Sequence, residues 1–336
     1  RKRIAKIINS EPEEIVFTSG GTESDNLALV GVAMANKKKG NHIITSKIEH
    51  KAVMETCEFL EKQGFQITYL DVDKYGIIDL EQLKKSIKKE TILVSVMHAN
   101  NEIGTLEPIE EVGKICREKD IYFHTDAVQS FCKIPIDVKK MKIDMLSASS
   151  HKIYGPKGVG LLYVRTGVKI EPLLHGGGHE SGRRSGTENV AGIVGFAKAC
   201  EIANKGMTKE AKRLSRMRNK LVKGLLKVPN SYINGHPEKR LPGNTNFRFD
   251  FIEGEALILK LDIVGIEAST GSACSSKDLK ASHVLISIGL SPKQAHGSLR
   301  ITMGRYTKEK DIDYVLKNVP EVVSELREIS PFKGKW

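Results

Sequence analysis

With 53 Lys and Arg against 41 Asp and Glu, the 336-residue chain carries a formal net charge of +12, while 40% hydrophobic and 28% charged residues are ordinary globular usage. That balance excludes a disordered chain, and no apolar run approaches the roughly 18 residues that span a bilayer, which excludes a membrane-spanning class. Single hydrophobic cores stop growing at about 250–300 residues, so this length predicts two domains.

Elements are then read in chain order. β-branched runs at 15–18, 43–45, 67–69, 92–97, 121–125, 145–149 and 159–164 read as buried or half-buried strands. Between them, 52–63, 80–89 and 109–119 carry apolar residues at helical spacing with Lys and Glu on the opposite face. Alternation of this kind predicts βαβ units, an α/β fold and a mostly parallel sheet. The segment 198–226 predicts long helical structure interrupted near Gly206, and the domain transition is placed there, with a large domain over 1–205 and a small one over 206–336. Strands at 245–249, 265–268 and 299–303 and helices at 255–261, 282–288 and 308–326 make the second a smaller α+β unit.

Charge and thiols narrow the setting. Lys and Arg are spread along the chain rather than gathered in one arm, which fits a solvated basic surface better than nucleic-acid binding. The five cysteines are odd in number and form no C-x-x-C pair, as expected of free thiols in a reducing, cytoplasmic compartment. The first residues, Arg1-Lys2-Arg3-Ile4, hold neither Met nor the apolar core of a signal peptide, so the chain reads as starting downstream of a native start.

Chemistry-bearing residues fall in four clusters. Thr18-Ser19-Gly20-Gly21-Thr22-Glu23-Ser24 is a turn between strand and helix that aims N–H groups and hydroxyls at one point, suiting a phosphate; its plainer reading is an ordinary capped turn. In Ser147-Ala148-Ser149-Ser150-His151-Lys152, a strand delivers a lysine behind hydroxyls and an imidazole, as Schiff-base chemistry requires, or simply ends in a surface turn. Asp126 ends an apolar strand, where α/β proteins bind ligands and a buried acid can face a pyridinium nitrogen; a turn-forming Asp is the alternative. Cys274, in Ser272-Ala273-Cys274-Ser275-Ser276, is a thiol among small residues that suit access and movement, whereas Cys57, Cys116, Cys132 and Cys200 read as small hydrophobes.

The order of these clusters, with the stretches SKIEHKAV, HANNEIG, DAVQS, SSHKIYGPKG, HGGGHE, RSGTEN, GSACSS and SLRITMGRYT, resembles the NifS/IscS-type cysteine desulfurases over about residues 13–331. The resemblance implies pyridoxal-phosphate fold type I: a large domain on a mainly parallel seven-stranded sheet, plus a smaller α+β C-terminal domain. It implies that Lys152 holds pyridoxal 5'-phosphate covalently, that Asp126 bonds the pyridine nitrogen, that Gln129 contacts the phenolic oxygen and that His50 stacks on the ring and moves protons. Gly21, Thr22, Ser149 and His151 would bind the phosphate, with Thr187 reaching a partner subunit's cofactor in a homodimer. Arg300 would take the substrate carboxylate bidentately, with Asn101 beside it.

The implied reaction converts L-cysteine to L-alanine with a persulfide on Cys274, for an iron–sulfur scaffold or another sulfur acceptor. No metal site, nucleic acid or membrane is implied, beyond transient ligation of an iron–sulfur cluster by Cys274. A selenocysteine lyase, a cysteine sulfinate desulfinase or a non-catalytic sulfur-carrier relative are the alternatives. Two departures stand out: the family's N-terminal segment has no counterpart before Arg1, and the phosphate turn reads Gly-Gly-Thr where many relatives have Gly-Ala-Thr.

Overall fold

The computed structural model describes residues 1–270 and 281–331, so Cys274 lies outside the described residues. The chain divides into two compact units, each with its own sheet. One comprises Arg1–Asp71, Ile78–Asn100 and Glu107–Met207; the other comprises Val72–Ile77, Asn101–Leu106 and Thr208–Trp336.

The first unit begins with helix α1 (Lys2–Ile8), strand β1 (Ile15–Thr18) and helix α2 (Gly21–Asn36). Then β2 (His42–Ser46), α3 (Lys51–Lys62), β3 (Gln66–Leu70), α4 (Leu80–Ser86), β4 (Thr91–Ser95), α5 (Ile109–Glu118) and β5 (Tyr122–Asp126) alternate before β6 (Met145–Ser149) and β7 (Gly160–Val164). The sheet order is β1-β7-β6-β5-β4-β2-β3. Parallel pairing links β3, β2, β4, β5 and β6, while β7 runs antiparallel to both β6 and β1. This is the mainly parallel seven-stranded α/β sheet expected of the sequence. Strands β1, β2, β4, β6 and β7 are buried at every residue, as strands covered on both faces must be.

Helix periodicity explains the covering layer. α3 buries Ala52, Val53, Thr56, Cys57 and Leu60, and α5 buries Ile109, Val112, Gly113, Ile115 and Cys116, each a stripe at three- and four-residue spacing. α2 is buried more broadly, through Leu27, Ala28, Leu29, Val32 and Ala33, and joins Val16, Ile43, Leu93, Met145 and Leu162 in the core.

One 36-residue helix, α6 (Val190–Leu225), begins in the first unit and ends in the second, and the remaining elements belong to the second. It leads into β8 (Ser231–Ile233), β9 (Asn244–Phe249), α7 (Gly254–Ile263), α8 (His283–Ser287), α9 (Pro292–His296), β10 (Ser298–Thr302) and α10 (Glu309–Ile329). The three strands form an antiparallel sheet in the order β10-β9-β8. Its core is Leu214, Met217, Leu221 and Leu225 against Phe247, Phe249, Leu257, Leu261, Leu299, Val319, Val323 and Leu326.

The structure corrects four local expectations. α6 runs unbroken through Gly206, where a Cβ would meet no atom within 4 Å; a solvent-facing glycine costs about 1 kcal/mol, which long flanks of Ala, Lys, Leu and Arg absorb. The 265–268 segment is no strand: Gly265, at φ 75°, ends α7 with N–H bonds back to Asp262, and only Ser269 bridges to Arg300. α4 stops at Ser86 because Lys88 N–H donates to Thr91 Oγ1 (2.8 Å) in a turn entering β4. β4 ends at Ser95, although Val96 and His98 N–H still bond the carbonyls of His124 and Asp126.

Candidate active site

Carboxyl ends of parallel strands point the same way, so the residues that follow β2, β4, β5 and β6 gather along one edge of the first sheet. Asp126 is the last residue of β5, Ser149 the last of β6, and Glu49 and His50 follow β2. Thr18 closes β1 at the same edge, because Thr18 and Ser149 both lie opposite Gly160 of the intervening strand β7. The Gly-rich turn then folds across β7 onto the serine: a Cβ on Gly20 would lie 3.9 Å from Ser149 Oγ, and one on Gly21 3.8 Å from Ser149 Cβ. Gly160 must be a glycine here: a Cβ would stand 2.6 Å from Gly20 Cα and 2.7 Å from Ala148 O.

The turn opens α2 with Gly20 as N-cap and no side-chain cap, so its first N–H groups are left to an external acceptor. Gly21 abuts β5's following turn, since a Cβ there would meet Val128 Cγ2 at 2.7 Å. Thr22 is exposed beside it. The turn is anchored from behind: Glu23 accepts from Ser19 N–H (2.8 Å) and from Arg184 Nε (2.9 Å). Burial raises the Glu23 carboxyl, and the bonds from Arg184 and Ser19 outweigh it, leaving the group lowered. Thr187, three residues beyond Arg184, is exposed. At the end of β6, Ser149 Oγ pairs with His151 Nδ1 at 2.9 Å, and Lys152 stands exposed in the turn that follows.

Asp126 is 5% exposed, and its Oδ1 accepts from Val128 N–H at 2.8 Å. Burial pushes its carboxyl up, while that N–H and then the charges of His50 and Lys152 pull it down. The structure thus brings His50 and Lys152 within electrostatic reach of Asp126. His50 caps α3, its Nδ1 accepting from Ala52 N–H at 3.1 Å, which places the neutral ring's proton on Nε2. Gln129 is half-buried in the turn after Asp126.

Sequence reasoning missed the layer beneath. Glu49 is fully buried, accepts from Ser46 Oγ (2.6 Å) and Met97 N–H (3.0 Å), and is raised to about 8, chiefly by burial. Asp25 of α2, also buried, is raised well above the usual carboxylate range by burial and then by Asp126. His124 sits between Ser95 Oγ (2.9 Å) and Ser147 Oγ (3.0 Å), with Asp25 Oδ1 3.6 Å from its Nε2, and burial pushes it down to about 3. His98 pairs with Ser130 Oγ (3.0 Å) and falls to about 4 for the same reason. One signal was available: polar residues inside otherwise apolar strands and the buried face of a helix.

In the second unit, Arg300 of β10 donates Nη1 to Asn101 O (3.3 Å) and Nη2 to Ser269 Oγ (3.0 Å), so the two residues expected around a substrate carboxylate are neighbours there. Among the described residues, no group of three or more His, Cys, Asp or Glu could hold a metal ion.

The first unit's residues fit pyridoxal phosphate. An uncapped helix N-terminus beside a hydroxyl–imidazole pair suits its dianionic phosphate, and a protonated ring nitrogen at Asp126 would add the positive charge that offsets the carboxylate's burial.

Comparison with known proteins gives the same direction. Residues 1–315 match the family model of class-V aminotransferases. The chain is 57% identical over 334 residues to the cysteine desulfurase IscS of Clostridium botulinum, covering 98% of this chain and 84% of that protein. It superposes on a NifS-like protein with a TM-score of 0.91 at 43% identity (97% of this chain, 86% of the other), and on SspA in complex with cysteine at 0.80 and 39% (91% and 86%).

Proposed function

The chain belongs to the aminotransferase class-V family and is a pyridoxal-phosphate-dependent cysteine desulfurase, and from that premise we propose that the strand-end cluster of its first unit is the cofactor site and Cys274 the sulfur acceptor. The observation that carries the assignment is the convergence of Asp126, His50 and Lys152 at one sheet edge beside an uncapped helix N-terminus.

In this reading Gly21 and Thr22 of the α2 turn, Ser149 and His151 bind the phosphate. Lys152 would supply the amine that holds the cofactor, Asp126 would keep a proton on its ring nitrogen, Gln129 would donate to its phenolic oxygen and His50 would pack against its ring. Bound pyridoxal phosphate supplies an electron sink that stabilises negative charge at the substrate Cα. Arg300 holds the L-cysteine carboxylate through its two-pronged guanidinium, with Asn101 alongside. Lys152 and His50, the latter through Nε2, would be the groups that take and return protons. The Cys274 thiolate attacks the substrate sulfur: an S–S bond forms, the Cβ–S bond breaks, its electron pair stays on Cβ, and Cβ takes up a proton to give L-alanine. The persulfide then serves iron–sulfur cluster assembly or another thiolation.

We assign the homodimer partner to the face carrying Thr187, which continues into Val190 and Val194, 65% and 61% exposed and one turn apart on α6. A second copy covering them would bring Thr187 to the neighbouring phosphate. A cytoplasmic setting is supported by four free, buried thiols; no helix among the described residues is long and apolar enough to cross a membrane.

The test is an absorbance scan of protein loaded with pyridoxal phosphate, before and after L-cysteine, with alanine measured in parallel. A visible band that responds to L-cysteine with alanine release supports the reading. Cys274→Ser should keep the band and lose sulfur transfer; sustained cysteine-dependent alanine formation in that variant removes Cys274 from the mechanism.

A further inference from the structure

A second lysine stands at the same site. Two successive turns follow Asp126: Ser130 and Phe131 N–H bond Ala127 O, and Lys133 and Ile134 N–H bond Ser130 O, with Cys132 between them at φ 55°. Lys133 Nζ lies 3.5 Å from Gln129 Oε1. Lys133 is half-buried, has no carboxylate partner among the described residues, and its charge is felt at His151. Burial, and then Lys152, lower its amine to about 8, which leaves it charged at neutral pH. An ammonium is a donor only, whereas a glutamine amide presents an acceptor at one end and a donor at the other. A lysine on one side therefore decides which end of the amide faces the other way, and such contacts are often long until a ligand is seated.

We propose that Lys133 is a positioning residue for Gln129: it holds Oε1 on its own side and so turns the amide NH2 group toward the phenolic oxygen of pyridoxal phosphate. This rests on the cofactor reading above. Without Lys133 the amide loses that bias and is held by the phenolate alone, so its NH2 group donates to the phenolic oxygen for a smaller fraction of the time. A donor on that oxygen stabilises the phenolate and lowers the proton affinity of the neighbouring imine nitrogen, so the pH at which the bound cofactor's visible band titrates reports the orientation.

The experiment measures that midpoint in the loaded protein, with the apparent affinity for added pyridoxal phosphate. Lys133→Met should raise the midpoint by about one pH unit, a tenfold change in proton affinity, and Lys133→Arg, still donor-only, should keep it. Lys133→Gln takes the place of the Met variant if that one does not fold. Gln129→Ala should also raise the midpoint, and adding Lys133→Met to it should change nothing further, because a residue that acts through Gln129 has no route left. An unchanged midpoint in Lys133→Met, or additive shifts in the double variant, overturns the proposal while the cofactor site stands. Wild-type protein that shows no visible band with pyridoxal phosphate overturns both.

Discussion

The rim and the floor of the sheet edge are built on opposite principles. Along the rim, Thr22, His151 and Lys152 are exposed. In the floor, Asp25, Glu49, His98, His124 and Asp126 are buried, and their neighbours are serine hydroxyls and backbone N–H groups. Burial drives the two floor histidines toward neutrality and pushes the Asp25 and Glu49 carboxyls toward protonation. At Asp126 the cationic groups His50 and Lys152 work against that push. The difference teaches that the floor keeps its protons fixed and leaves one acid poised, while the rim provides reach.

The sharpest break between the two comes from Lys152→Ala, a rim change that removes the reacting amine. Alanine formation should fall at least about a thousandfold and the cofactor's covalent band should vanish, yet thermal stability should hardly move because the side chain is exposed. A variant that keeps the band takes Lys152 out of this role.

Gly160→Ala strikes where rim meets floor. The added methyl would have to displace Gly20 Cα from 2.6 Å, so unfolding should cost about 1–3 kcal/mol less than in wild type, with weaker uptake of pyridoxal phosphate. Thermal melts and cofactor titration read the two together; a neutral result in both means the turn yields more easily than its packing implies.

The floor alone is read by Glu49→Gln. With its folded value near 8 against an ordinary 4.5, Glu49 binds a proton in the native state that the unfolded chain releases. Wild-type stability should therefore be greatest near or below pH 4.5 as far as this group is concerned, and decline by up to about 1.4 kcal/mol per pH unit as pH rises toward 8. The Gln variant lacks that decline. Denaturant midpoints between pH 5.5 and 7.5 should converge as pH falls and separate as it rises, and parallel curves would show an ionised Glu49.

The rim clusters Gly20-Gly21-Thr22 and Ser149-Ser150-His151-Lys152 stand out by composition, but each alone reads more plainly as an ordinary turn; their order along the chain and the family resemblance carry the assignment. The mainly parallel sheet, by contrast, was plain from alternating β-branched and amphipathic runs. The floor was not. Glu49 precedes His50 in the same motif, but nothing local says that Met97, 48 residues on, donates to it. Lys133 was passed over as one more lysine among many, since its significance depends on the turn that stacks it on Gln129. Gly206 misled in the other direction, because propensity alone cannot show that a glycine faces open solvent.

Four cysteines besides Cys274 are folded into this chain, at Cys57, Cys116, Cys132 and Cys200, and all are buried. Burial raises the Cys57 and Cys116 thiols, and the bond to Cys132 followed by burial raises Cys200. A protein that makes reactive sulfur risks loading it onto its own thiols, and transfer requires a thiolate with access. Here the wrong recipients are withheld by burial, so fidelity of delivery is already written into the packing of the helices and the turn around them.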